Sequence, residues 1–177
     1  MDLRYPIGAS KAHANPDSVT LKDWINSIRN FPLQIESQVR SLESDKLDWP
    51  YRPEGWTIRE VVHHCVDSHL NAFLRFKLTL TEDTPTIKPY QEALWVQLAD
   101  GKEEDVSNSL LLLQSLHHRW ILLIDSLNSD QLKREYFHPE NNKTYSLAEV
   151  IGTYAWHCEH HLAHVHQAIA SEGKYRA

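Results

Sequence analysis

At 177 residues, with 41% hydrophobic and 24% charged side chains, the chain can bury one core, and its composition excludes a disordered, collagen-like or disulfide-stapled protein. A net charge of -6 without any lysine–arginine block argues against a phosphate-backbone partner. Apolar runs such as 110–113 are far too short to cross a bilayer, residues 1–11 hold no apolar signal core, and the two cysteines suit a reducing compartment. The expectation is a single domain over 1–177, placed in the cytoplasm, with neither membrane nor nucleic acid as partner.

Residues 1–17 read as an irregular arm, broken by Pro6, Gly8 and Pro16. Trp24, Ile25, Ile28, Ile35, Val39 and Leu42 predict a helix over 19–42, with a break or kink at Pro32. A connector over 43–56 carries Pro50, Pro53 and Gly55. The second long helix opens on a capping box, Thr57 with Glu60, and runs to about residue 81. Pro85 and Pro89 follow, then a short helix near 91–98. Leu110, Leu113, Leu116, Trp120, Ile124 and Leu127 mark the third long helix, over 106–127. Residues 128–145 hold a helical turn near Asp130 and a polar loop that admits a brief β-hairpin. The fourth long helix starts at Ser146, with Glu149 three residues on, and stops near Glu172 before Gly173. Four long helices on modest connectors predict an all-α four-helix bundle, an architecture that builds metal sites from facing helices.

Twelve histidines are the unusual feature, and most fall in segments 63–69, 117–118 and 157–166. Residues four apart on a helix differ by about 40°, so two imidazoles at that spacing can grip one ion. The fourth helix offers two such pairs, His157 with His161 and His160 with His164. Leu147, Ile151, Cys158, Leu162, Val165 and Ile169 define its buried arc. On an ideal wheel His161 lies roughly 50° from the arc's centre, His157 roughly 90°, His164 roughly 110° and His160 roughly 150°. The first pair is therefore expected to face the interior, and His160 to face solvent. A zinc-type site wants a third ligand, and one that keeps a position open can be catalytic. The second helix offers His63, His64 and His69, and the wheel does not choose among them. His64 lies on a polar stripe with Glu60, Asp67, Asn71 and Arg75, readable as a solvated face or as the wall of a wet pocket. His69 reads as a hydrogen-bonded core histidine, and His117 and His118 as packing or surface residues. Cys158 replaces the glutamate that follows the first histidine in a zincin motif. It and Cys65 read as buried, inert thiols.

Several longer motifs resemble the YfiT-like branch of the DinB superfamily. They are Tyr5-Pro6-Ile7-Gly8, Gly55-Trp56-Thr57-Ile58-Arg59-Glu60-Val61-Val62-His63-His64, Asp67-Ser68-His69, Arg75-Phe76-Lys77, the segment Thr84-Pro85-Thr86-Ile87-Lys88-Pro89-Tyr90, His138-Pro139, and the histidine run from Tyr154 to His164. The resemblance spans almost the whole chain in order. It implies a four-helix bundle, typically a homodimer, with one divalent ion per chain, zinc or nickel, held by three histidines. Carried onto this sequence, the ligands are His64, His157 and His161.

The resemblance further implies a metal-dependent hydrolase or a thiol S-transferase. In the second case the ion holds a small cellular thiol such as bacillithiol as thiolate, which attacks an electrophile. Asp67, Asn71, Arg75 and Tyr154 are the candidates to line the substrate pocket. Hydrolysis by metal-bound hydroxide is the alternative, with Asp67 or Glu60 as general base. A third reading is a non-catalytic metal-binding stress protein, which calls for a closed site.

Overall fold

The computed structural model describes residues 2–176. Four long helices carry it: α1 (Ser18–Val39), α2 (Ile58–Thr81), α4 (Ser107–Asp125) and α6 (Leu147–Ala170). Two short helices, α3 (Glu92–Trp95) and α5 (Ser129–Leu132), sit in the connectors. Strands β1 (Glu135–His138) and β2 (Lys143–Ser146) form an antiparallel hairpin in which Tyr136 pairs with Tyr145. A bridge between Thr86 and Phe137 ties this hairpin to the segment that follows α2.

Each long helix packs on two others. α1 lies against α4 and α6, and α2 lies against the same two helices, so α1 and α2 face each other across the bundle. The apolar stripes meet in one continuous core containing Ile28, Phe31, Ile35, Phe76, Leu113, Trp120, Leu147 and Ile151, all essentially inaccessible to solvent. Burying side chains of this size stabilises by roughly 1.5–3 kcal/mol each, which is what holds four amphipathic helices together.

Local chemistry sets the ends of the two helices that matter for function. At the start of α2, Thr57 accepts from the Glu60 amide and the Glu60 carboxylate accepts from the Thr57 amide, closing both halves of the capping box. At the start of α6 only half of the expected box forms. Ser146 accepts from the Glu149 amide, while the Glu149 carboxylate turns to Lys143 on β2 at 2.7 Å. After α6 the chain passes through positive φ at Glu172 (49°) and Gly173 (76°), which ends the helix where the glycine predicts.

Pro32 does not break the helix it lies in. α1 runs through it from Ser18 to Val39 as one helix. The N-terminal arm is irregular as expected, but it is not idle. Trp156 donates to the Gly8 carbonyl, and Gln167 to the Leu3 carbonyl, so the arm lies along α6.

Candidate metal centre

α2 and α6 are neighbours, and they bring His64, His157 and His161 together. One ring nitrogen from each lies within 4.8 Å of the other two. The Nε2 atoms of His64 and His157 are 3.3 Å apart. Nitrogen ligands at about 2.0–2.1 Å from a single tetrahedral ion stand about 3.4 Å from one another, so this pair has the separation a shared ion requires. The ring centroids are 4.3 Å apart for His157 and His161, and 4.9 Å for His64 and His161.

The rings are held in the uncharged, ligating form. Burial, with neighbouring imidazoles adding to it, lowers His64 to about 4 and takes His157 and His161 well below the ordinary histidine value. Two of the three remaining nitrogens are engaged behind the site. His157 Nδ1 is 3.0 Å from His69 Nε2. His161 Nδ1 is 3.4 Å from His164 Nδ1, and His164 Nε2 donates to the Arg4 carbonyl at 3.2 Å. Trp56 packs on the His64 ring at 4.6 Å, and His64 Nδ1 is buried with no hydrogen-bond partner among the described residues. Three converging neutral imidazoles, two of them backed by acceptors that direct a lone pair forward, fit a divalent first-row ion.

The structure also shows why the other histidines of α2 are engaged elsewhere. His63 bridges to α4, with Nδ1 at 2.8 Å from Ser109 Oγ and Nε2 at 3.0 Å from the Glu103 carbonyl. His69 is fully buried, and it touches both His157 and His117. His117 is buried too, whereas His118 is exposed. His160 departs from its expected place. The helical wheel puts it on the solvent face, yet it is 7% exposed, because Trp156 stacks on it at 4.4 Å and Tyr5 of the arm lies 5.8 Å away.

A cavity of about 220 Å³ opens beside His157. Among its lining residues are Ser68, Arg75, Tyr90, Glu92, Tyr136 and Tyr154. Of the four residues expected to line a pocket, Arg75 and Tyr154 do so, and Asp67 and Asn71 lie off the cavity wall. Asn71 instead donates back to the Asp67 carbonyl along the helix at 2.9 Å. Tyr154 donates to the Ser68 carbonyl at 3.1 Å, which ties α6 to α2 one turn from His64. Glu60 is committed to its capping box and to Lys102. Sequence reasoning missed Tyr90, Glu92 and Tyr136. They come from connectors and the hairpin, where no periodicity marks an inward face. Burial raises the Glu92 carboxyl, with Glu140 adding to the effect, and pushes the Asp67 carboxyl up to about 6.

Comparison with known proteins gives the family and agrees with the fold. The DinB superfamily model matches residues 34–165. YfiT of Bacillus subtilis is 43% identical over 93% of each chain, and a Bacillus cereus protein is 47% identical over 93% of this chain and 94% of that one. The names of both class them, by inference, as metal-dependent hydrolases. The solved structure of YfiT, described as having an unusual four-helix bundle topology, superposes with a TM-score of 0.93 at 42% identity, over 98% of this chain and 99% of that one. With the bundle, its helix order and nearly the full length shared, the chain belongs to the DinB superfamily, among the relatives of YfiT.

Proposed function

We propose that this chain is a metal-dependent enzyme that joins a small cellular thiol, bacillithiol or one like it, to an electrophile. His64, His157 and His161 hold one divalent ion, zinc or nickel. Bound there, the ion supplies positive charge that favours the deprotonated form of a coordinated nucleophile. The observation that carries the reading is the convergence of three imidazoles, one of which, His157, stands on the wall of a cavity of about 220 Å³. Among the described residues no fourth histidine, cysteine or carboxylate joins the three, and a purely structural metal would favour a closed four-ligand site.

The cavity wall assigns work to the chain's own residues. Among the described residues Arg75 is the one lysine or arginine of the wall, and it orients an anionic group on the incoming molecule. Tyr90, Tyr136 and Tyr154 provide flat faces and keep water away from the reacting centre. Thiol transfer, unlike hydrolysis, needs no protein base to activate water, and Glu60 and Asp67, the bases that hydrolysis would call for, stand off the cavity. Hydrolysis stays as a second reading because Glu92, a carboxyl raised by burial, does line the wall. The homodimer and the cytoplasmic setting belong to the same proposal.

The test uses purified protein loaded with zinc or nickel. Conjugation of bacillithiol to 1-chloro-2,4-dinitrobenzene is compared with hydrolysis of a panel of esters and amides. Metal-dependent, thiol-dependent conjugation that is lost in His161→Ala is the expected result. Turnover that proceeds without any thiol overturns the transfer reading in favour of Glu92-assisted hydrolysis.

A further inference from the structure

Pro32 lies inside α1 and has no amide hydrogen, so the Ile28 carbonyl one turn earlier lacks its ordinary helical donor. A side chain from another helix answers it. His117 Nδ1, on α4, lies 2.7 Å from the Ile28 oxygen. A carbonyl can only accept, so the His117 proton sits on Nδ1, and Nε2 of the neutral ring is an acceptor. His69 Nδ1 lies 2.7 Å from that Nε2 and therefore donates to it. This leaves His69 Nε2 as an acceptor, and His157 Nδ1, 3.0 Å away, donates to it. Each ring hands its neighbour only one possible role. The direction set at a backbone oxygen on α1 is thus carried through α4 and α2 to α6.

The last ring in the line is one of the three that converge. With its proton on Nδ1, His157 presents an unprotonated Nε2 towards His64 Nε2 and towards the Ser68 hydroxyl, each at 3.3 Å. We propose that His69 and His117 are positioning residues which, anchored on the Ile28 carbonyl freed by Pro32, lock His157 in the tautomer whose Nε2 can bind a metal. No proton is gained or lost along the line. The rings of His69 and His117 are 0% and 2% exposed, so water cannot compete for their nitrogens. The packing of Phe31 against both, with centroids at 5.3 and 5.8 Å, fixes their planes. This inference rests on the reading of His157 as a ligand. It adds that the ligand is prepared before any ion arrives, by two residues that never touch the ion.

The experiment has two readouts. Long-range ¹H–¹⁵N correlation spectra of the metal-free wild-type protein report which nitrogen of His157 carries the proton, with His157→Gln used for assignment. The expected result is protonation at Nδ1, and protonation at Nε2 overturns the proposal without any variant having to fold. Zinc affinity is then measured by competition with a chromophoric chelator for wild type, His117→Leu and His117→Gln, after circular dichroism shows that each is folded. His117→Leu cuts the line and is expected to weaken zinc binding by about 10–100-fold, the range for lost partners of metal-bound histidines. His117→Gln keeps a donor for Ile28 and an acceptor for His69, and is expected to restore most of the affinity. Equal affinity in wild type and the leucine variant overturns the proposal. If wild type takes up no zinc while His157 is protonated at Nδ1, the metal reading fails and the hydrogen-bonded line stands.

Discussion

Acidification should unfold the metal-free protein through its buried imidazoles, and His117 allows the size to be worked out. Burial lowers this ring from 6.5 to about 4, even though its bond to the Ile28 carbonyl pulls the other way. Above pH 6.5 the ring is neutral in both folded and unfolded chains, and stability is complete. Between 6.5 and about 4 only the unfolded chain takes up the proton, so stability falls as pH falls. Below that window the loss levels off at about 3 kcal/mol for this one residue, since each pK unit is worth roughly 1.4 kcal/mol. At about pH 5 the loss is already about 2 kcal/mol, a large part of a typical domain's stability. Urea denaturation of the metal-free protein, compared at about pH 7.5 and about pH 5, reads this out. His117→Gln should lose about 2 kcal/mol less than wild type over that interval, because the amide does not titrate. Equal losses in the two proteins would refute the assignment of His117 as a neutral buried ring.

Three other outcomes follow from the packing. Thr57→Ala removes one side of the closed capping box in front of the helix that carries His64, and should cost about 1 kcal/mol in chemical denaturation; an unchanged midpoint would show that the cap contributes nothing. Gly152→Val places atoms where even a Cβ would stand 2.7 Å from the Trp24 ring and 2.9 Å from Ala12 Cβ, so the variant should lose about 1–3 kcal/mol with a change in tryptophan fluorescence. Cys65 and Cys158 are both free and buried, with their thiols shifted up by burial; Ellman's reagent should find neither in the native protein and both after denaturation.

The parts of the fold that were legible in the sequence are those governed by neighbours along the chain. Thr57 and Ser146 mark helix starts because capping is a three-residue matter, and the apolar spacing of α4 and α6 marks their buried sides for the same reason. The pairing of His157 with His161 was legible too, since it needs only the helical repeat. What could not be read is whatever a distant segment supplies. Pro32 predicts a break or kink, yet the helix continues through it, and a histidine 85 positions later bonds the carbonyl that the proline leaves free. His160 predicts solvent exposure, and it is covered because the arm before α1 folds along α6. The choice among His63, His64 and His69 is invisible on a wheel. It depends on Ser109, Glu103 and His117 claiming two of the three rings.

The arm contact behind His161 bears on the order of events during synthesis. The acceptor for His164 is the carbonyl of Arg4, 160 positions earlier in the chain. Two of the three converging imidazoles stand on the last helix. A ribosome-bound chain that has emerged only as far as α4 therefore owns one of these rings and neither of the other two. On the proposed reading, an ion held by these three rings can be captured only once α6 has docked, which makes it a latch on a finished bundle rather than a seed for its assembly.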